Sequence, residues 1–149
     1  MIKDKLQLRG DVSIVLKSAD GSVKDSRSIK NLVVSDGLNF IVSRMKDTTQ
    51  DAMSHMAVGS STTAASAGQT DLVSILGSRE ALGSTTVSTN TVTFICSFGA
   101  GSGTGAVTEA GVFNAVTAGD MLCRTVFDVV NKQATDSMSI TWVVTLTAS

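Results

Sequence analysis

The last apolar run of the chain, residues 138–146, alternates almost without interruption. Met138, Ile140, Trp142, Val144 and Leu146 fall on one side, Ser139, Thr141 and Thr145 on the other, and Val143 is the single apolar intruder. Successive side chains of a strand point to opposite faces of the sheet, so this pattern specifies a strand with one buried face. A Trp among β-branched residues suits such a pleated, half-buried surface. Two further apolar runs, 107–115 and 121–130, precede it, separated by polar, turn-prone pieces at 116–120 and 131–137. Residues 105–147 therefore read as the central sheet, against which everything upstream packs.

Upstream, the same period recurs. Ile2, Asp4, Leu6 and Leu8 alternate with Lys3, Lys5, Gln7 and Arg9, and the even-numbered positions continue past Gly10 through Val12, Ile14 and Leu16. Gly10 marks a bulge or a bend in this reading. Residues 18–21, Ser-Ala-Asp-Gly, form a hairpin turn, and the return run reaches Ile29 and then residues 31–34. Leu38, Ile41, Val42 and Met45 recur at helical spacing behind Ser35-Asp36, which offers an N-cap. This predicts one helix over about residues 36–46, its apolar stripe plugging the sheet, with Arg44 and Lys46 in the last turn where cations suit the dipole. Residues 53–59 read as a strand. The Ser/Thr/Ala segment 60–70 cannot bury much apolar area and reads as a surface loop. Residues 71–76 read as a helical turn or a short strand, and 79–87 with 92–98 as a hairpin joined at 88–90. The sum is about eight strands and one short helix: a mainly β, antiparallel β-sandwich or jelly-roll-like domain over 1–149, with 1–10 an N-terminal arm or edge strand.

At 149 residues the chain has the size of one domain, which buries roughly 70% of its unfolded surface without staples. Cys96 and Cys123 make no disulfide framework and sit at apolar alternating positions, as small buried hydrophobes do. With one histidine, His55, they cannot supply a zinc set, so no metal is expected. Net charge is −1. Residues 1–50 hold nine Lys/Arg and six Asp/Glu (+3), and residues 51–149 hold three and seven (−4). That asymmetry is far from the basic balance of a nucleic-acid binder and suits complementarity between copies or with a neighbour. No h-region of a signal peptide and no membrane-spanning apolar stretch is visible, which predicts a soluble protein without membrane partners.

Chemistry-bearing motifs are few. In residues 99–106, Gly101, Gly103 and Ala106 match the loose dinucleotide fingerprint, but no βαβ pattern surrounds them, so the stretch reads as a tip between strands and no cofactor is expected. His55 has Ser54 beside it without a nucleophile elbow, and reads as a solvated or packed strand residue. Glu80 and Glu109, the only glutamates, would have to face each other across a cleft to act as paired acids. No catalytic residues are assigned, and an enzyme is not expected. The basic and apolar residues Ile2, Lys3, Lys5, Leu6, Leu8 and Arg9 read either as an edge strand whose lysines discourage aggregation or as an arm that adds a strand to a partner's sheet edge.

Several stretches resemble small virion proteins of tailed bacteriophages. They are His55-Met56-Ala57-Val58-Gly59 with the following Ser/Thr/Ala loop, then Asp71-Leu72 and Arg79; residues 104–115; residues 119–127; and Ser139-Ile140-Thr141-Trp142. The likeness covers roughly residues 30–149. Similar chains are capsid decoration (cement) proteins or short tail-fibre and tail-associated proteins. The resemblance implies a virion structural protein at the capsid surface, assembled in the host cytoplasm. Its partners would be the major capsid protein and copies of itself, as a dimer or trimer, with no direct nucleic-acid contact. It would clamp neighbouring shell subunits, with the six N-terminal residues in the contact. The alternative is a tail-fibre or tail-adaptor protein, with the host surface as a further contact. A sugar-binding sandwich would want exposed aromatics on loops, whereas the single Trp lies at an inward strand position and Tyr is absent.

Overall fold

The computed structural model describes residues 4–46 and 50–148. Its strands are β1 (Leu6–Lys17), β2 (Val23–Lys30), β3 (Leu32–Val33), β4 (His55–Gly59), β5 (Glu80–Ala81), β6 (Ser84–Ser88), β7 (Thr91–Phe98), β8 (Gly105–Phe113), β9 (Met121–Lys132) and β10 (Ser137–Ala148). Among the described residues a single helix, α1 (Ser35–Ser43), lies between β3 and β4. The strands form two five-stranded sheets, β2-β1-β10-β7-β6 (sheet A) and β3-β9-β8-β4-β5 (sheet B). All pairings are antiparallel. The chain is mainly β and sandwich-like.

The alternation in β10 does what its period dictates. Met138, Ile140, Trp142 and Val144 are buried and line the inner face of sheet A with Val12, Ile14 and Leu16 of β1 and Phe94, Cys96 and Phe98 of β7. Sheet B answers with Met56, Val58, Ala110, Val112, Cys123 and Val130. Each fully buried side chain of Val or Leu size contributes about 1.5–3 kcal/mol, so this one cluster is the main driving force of the fold.

The central-sheet expectation needs correction. Residues 105–147 do supply three strands, but β8 and β9 belong to sheet B and β10 to sheet A. The short connection after β9, where Asp136 N–H bonds Gln133 O, carries the chain from one layer to the other. Residues 79–87 are likewise divided: β5 pairs with β4 in sheet B, and only β6 forms the hairpin with β7. In 71–76 there is an isolated bridge between Ile75 and Gly59 and no helical turn.

Gly10 is neither a bulge nor a bend, for β1 pairs with β10 in unbroken register from Leu6 to Lys17. Its lack of a side chain instead makes room for Asn31, whose Oδ1 would lie 1.3 Å from a Cβ at this position. The turn at 18–21 forms as expected: Gly21 has φ +88° and donates to Ser18 O at 2.9 Å. Asp20 accepts from Ser18 Oγ, Ser22 Oγ and Ser22 N–H, and these bonds hold its carboxyl down at about 2.

The helix is shorter than expected and turned differently. Val34 is the N-cap and makes no side-chain cap bond, while the Asp36 carboxylate accepts from Met121 N–H at 2.8 Å. Gly37 and Phe40 are the buried positions; of the expected stripe Ile41 is half-buried against the core, whereas Leu38, Val42 and Met45 face solvent. The reason is steric. A Cβ on Gly37 would sit 2.0 Å from Leu122 O, so the helix backbone approaches β9 through its glycine, and of the expected stripe only Ile41 keeps a place against the core. Arg44 follows the helix as its C-cap and lies 5.9 Å from the Phe40 ring centroid.

Candidate interaction surfaces

Of the six residues assigned to partner contact, Ile2 and Lys3 lie outside the described residues. Leu6, Leu8 and Arg9 form the first part of β1, with Lys5 just before it. This part pairs with the end of β10, Leu6 opposite Ala148 and Leu8 opposite Leu146. β2 flanks β1 only from Asp11 onward, so residues 6–9 have a strand on one side and an open edge on the other. Leu6 is 70% exposed and Lys5 is exposed, while Leu8 leans on the core. Arg9 turns back along its own strand, its Nε donating to Asp11 Oδ2 at 2.9 Å.

The opposite face of the molecule was not legible as a site. Glu109 and Arg124, on β8 and β9, point outward from sheet B and are both completely buried. Residues 60–76 cover them, which explains why β8 reads as a continuous buried run although its sheet is antiparallel. Arg124 donates to Glu109 Oε2 from Nε at 3.0 Å and from Nη2 at 2.8 Å. The backbone amides of Ser61, Val73 and Ser74 donate to the same carboxylate at 3.3, 3.1 and 2.7 Å. Arg124 also donates to Gln69 Oε1 and Thr63 O, each at 3.0 Å. The carboxylate thus holds the loop backbone against the sheet at two places, Ser61 and Val73-Ser74, and the guanidinium holds two more points. The one arginine within the apolar run 121–127 was the available signal.

A smaller cluster lies beside it. Val34, Ala57, Leu72, Phe113 and Met121 pack together on this outer face. The Arg79 guanidinium stacks 3.6 Å from the Phe113 ring centroid and donates to Ala115 O and Ala118 O at 2.8 and 2.7 Å. Here an arginine organises the 114–120 turn, where Ala118 takes φ +54°. In the same turn Asp120 lies near Asp36, and burial together with that second carboxylate raises its pKa.

The remaining candidate groups are structural in their contacts. Ser54 Oγ lies 2.7 Å from His55 Nδ1, a contact between chain neighbours. Glu80 accepts from Ser102 Oγ and is no partner of Glu109. The glycine-rich tip is fastened to the β9–β10 connection through Gly101 N–H to Ala134 O at 2.8 Å, and Lys132 Nζ donates to Gly99 O at 2.8 Å. Desolvation lowers the Lys132 pKa. Both cysteines are buried and unpaired. Burial pushes the Cys96 thiol up to about 12 and the Cys123 thiol well above its ordinary value, which leaves both poor nucleophiles. Among the described residues no three His, Cys, Asp or Glu side chains converge as a metal site, and no helix is long and apolar enough to cross a membrane.

No protein-family model, curated protein or solved structure matches the chain. The fold and its surfaces must carry the functional reading.

Proposed function

We propose that this chain is a structural protein of a tailed-phage virion that decorates the capsid and stabilises it by clamping neighbouring major capsid protein subunits. The observation that supports this reading most is the start of β1. There an exposed leucine and basic residues lie on a strand whose outer edge has no partner, and an extended segment of shell protein can add to that edge through backbone hydrogen bonds. Lys5 and Leu6 make the direct contact, with Ile2 and Lys3 preceding them. Leu8 and Arg9 hold the strand in place. A rigid body suits the role, because attachment repeated around a shell lets weak single contacts act together.

The test is occupancy of undecorated heads by the purified protein and by a Lys5→Glu/Leu6→Asp variant. Both substituted side chains are exposed, so the variant keeps its fold. Wild-type protein saturating the heads while the variant binds at least tenfold more weakly is the expected result, and equal occupancy removes this edge from the contact. A tail role is the rival from the resemblance. Hundreds of copies per particle favour the shell, and a handful the tail.

A further inference from the structure

We propose that β6 is a self-association edge, pairing with β6 of a second copy across a two-fold axis to join two copies of sheet A into one ten-stranded sheet. A strand with one neighbour leaves half its backbone amides and carbonyls pointing outward, and folded proteins usually blunt such edges with charge, proline or very short length. The other outer strands follow that rule. β2 carries Lys24, Asp25, Arg27 and Lys30, while β3 and β5 have two residues each. Arg27 further ties β2 to the other sheet by donating to Val129 O at 2.8 Å. β6 has none of these defences. Its five residues, Ser-Thr-Thr-Val-Ser, are uncharged and all exposed.

A second observation lies on the inner face of this edge. Val87 is paired with Val92 and Thr85 with Phe94, so both point to the side where the core lies, yet Val87 is 75% exposed. Sheet B does not reach it, because its last strand is only β5. An apolar groove of about 360 Å³ remains between α1 and this corner of sheet A, with Thr85 and Val87 on its rim.

The strand's own chemistry selects a second copy as the occupant. Antiparallel pairing about Thr86 places Thr86 opposite its symmetry mate and Val87 opposite Thr85, a set of β-branched pairs that each favour a sheet by about 0.2–1 kcal/mol. A charged edge could not do this, since a two-fold axis repeats every charge near its own copy, and like charges directly opposite destabilise. The same pairing covers both exposed valines.

This gives a surface to the self-association that the resemblance implies, but it is argued from the edge alone and is read without shells. The experiment is sedimentation equilibrium of the full chain at tens of micromolar, together with two substitutions. Wild type is expected to be dimeric. Thr86→Lys places two ammonium groups across the axis and is expected to weaken dimerisation at least tenfold with an unchanged circular dichroism spectrum. Thr86→Cys is expected to form an intersubunit disulfide under mild oxidation, while Ser26→Cys on β2 stays unlinked. A monomeric wild type, a Thr86→Lys variant that dimerises as wild type does, or a Thr86→Cys chain that fails to cross-link overturns the proposal. A failure of head binding leaves it untouched, and a monomer leaves the capsid reading to its own test.

Discussion

Replacing Arg124 with Met strands a carboxylate in the interior and should be among the most damaging single changes in the protein. Glu109 and Arg124 have no solvent contact, and the guanidinium supplies two of the five hydrogen bonds to the carboxylate. Removing one member of a buried pair costs about 3–5 kcal/mol, because the other is left charged and desolvated. At ordinary per-residue values the whole chain is stable by about 7–20 kcal/mol, so the loss is a large share of the total. It corresponds to a fall in Tm of roughly 6–20 °C for a domain of this size. Damage should spread to the covering loop, since Gln69 and Thr63 lose their donor in the same step. Urea unfolding followed by Trp142 fluorescence measures the first effect, and subtilisin cleavage within residues 60–75 the second. The double variant Glu109→Gln/Arg124→Met removes the stranded charge while keeping an acceptor for the loop amides, and should be less destabilised than the sum of its singles by about 1–3 kcal/mol. If Arg124→Met loses less than about 1 kcal/mol, the scale of a surface ion pair, the claim that this pair fastens the loop is refuted.

Two further predictions concern α1 and its surroundings. Gly37→Ala drives a methyl group into Leu122 O and should lower stability by about 1–3 kcal/mol, the usual penalty of overpacking; thermal denaturation reads it, and an unchanged Tm would mean that α1 does not rest on β9 through this glycine. Asp120 is held above its unfolded pKa by burial and Asp36, so the folded state binds the proton more tightly and stability falls as pH rises from the unfolded value through the folded one. Asp120→Asn should therefore stabilise at neutral pH, by about 0.5 kcal/mol for a partly solvated pair, with the gain vanishing below the unfolded pKa; a gain that persists in acid contradicts the sign.

The strands were legible wherever one face meets the core and the other meets water. In β10, β7 and the second half of β1 the inward positions are apolar and the outward ones polar save for Val143, Ile95 and Val15, and the buried face follows from the period. Sheet membership was not legible, because alternation says which face is buried and nothing about the layer in which a strand lies. The helix misled through Gly37. Hydropathy marks Leu38, Ile41, Val42 and Met45 as the packing face, yet only Ile41 of these packs on the core and the closest approach runs through a residue with no side chain to score. The Glu109–Arg124 site escaped for a related reason: its loop partners are chiefly backbone groups, and a Ser/Thr/Ala loop offers those in a form that composition cannot distinguish from solvent-facing chain. The edge β6 was visible only as half of a hairpin; that its far side is bare required the topology.

The pairing of the first long strand with the last has a kinetic consequence. β1 meets β10 over its whole length, across more than a hundred intervening residues. While the chain emerges from a ribosome, Val12, Ile14 and Leu16 must wait for a neighbour synthesised more than a hundred residues later. Chains dominated by such distant contacts fold slowly, on the order of milliseconds to seconds. Through that interval the nascent hairpin presents a sticky, alternating face to whatever is nearby, so the yield of native protein should depend on chaperone supply and expression rate more than on the stability of the finished fold.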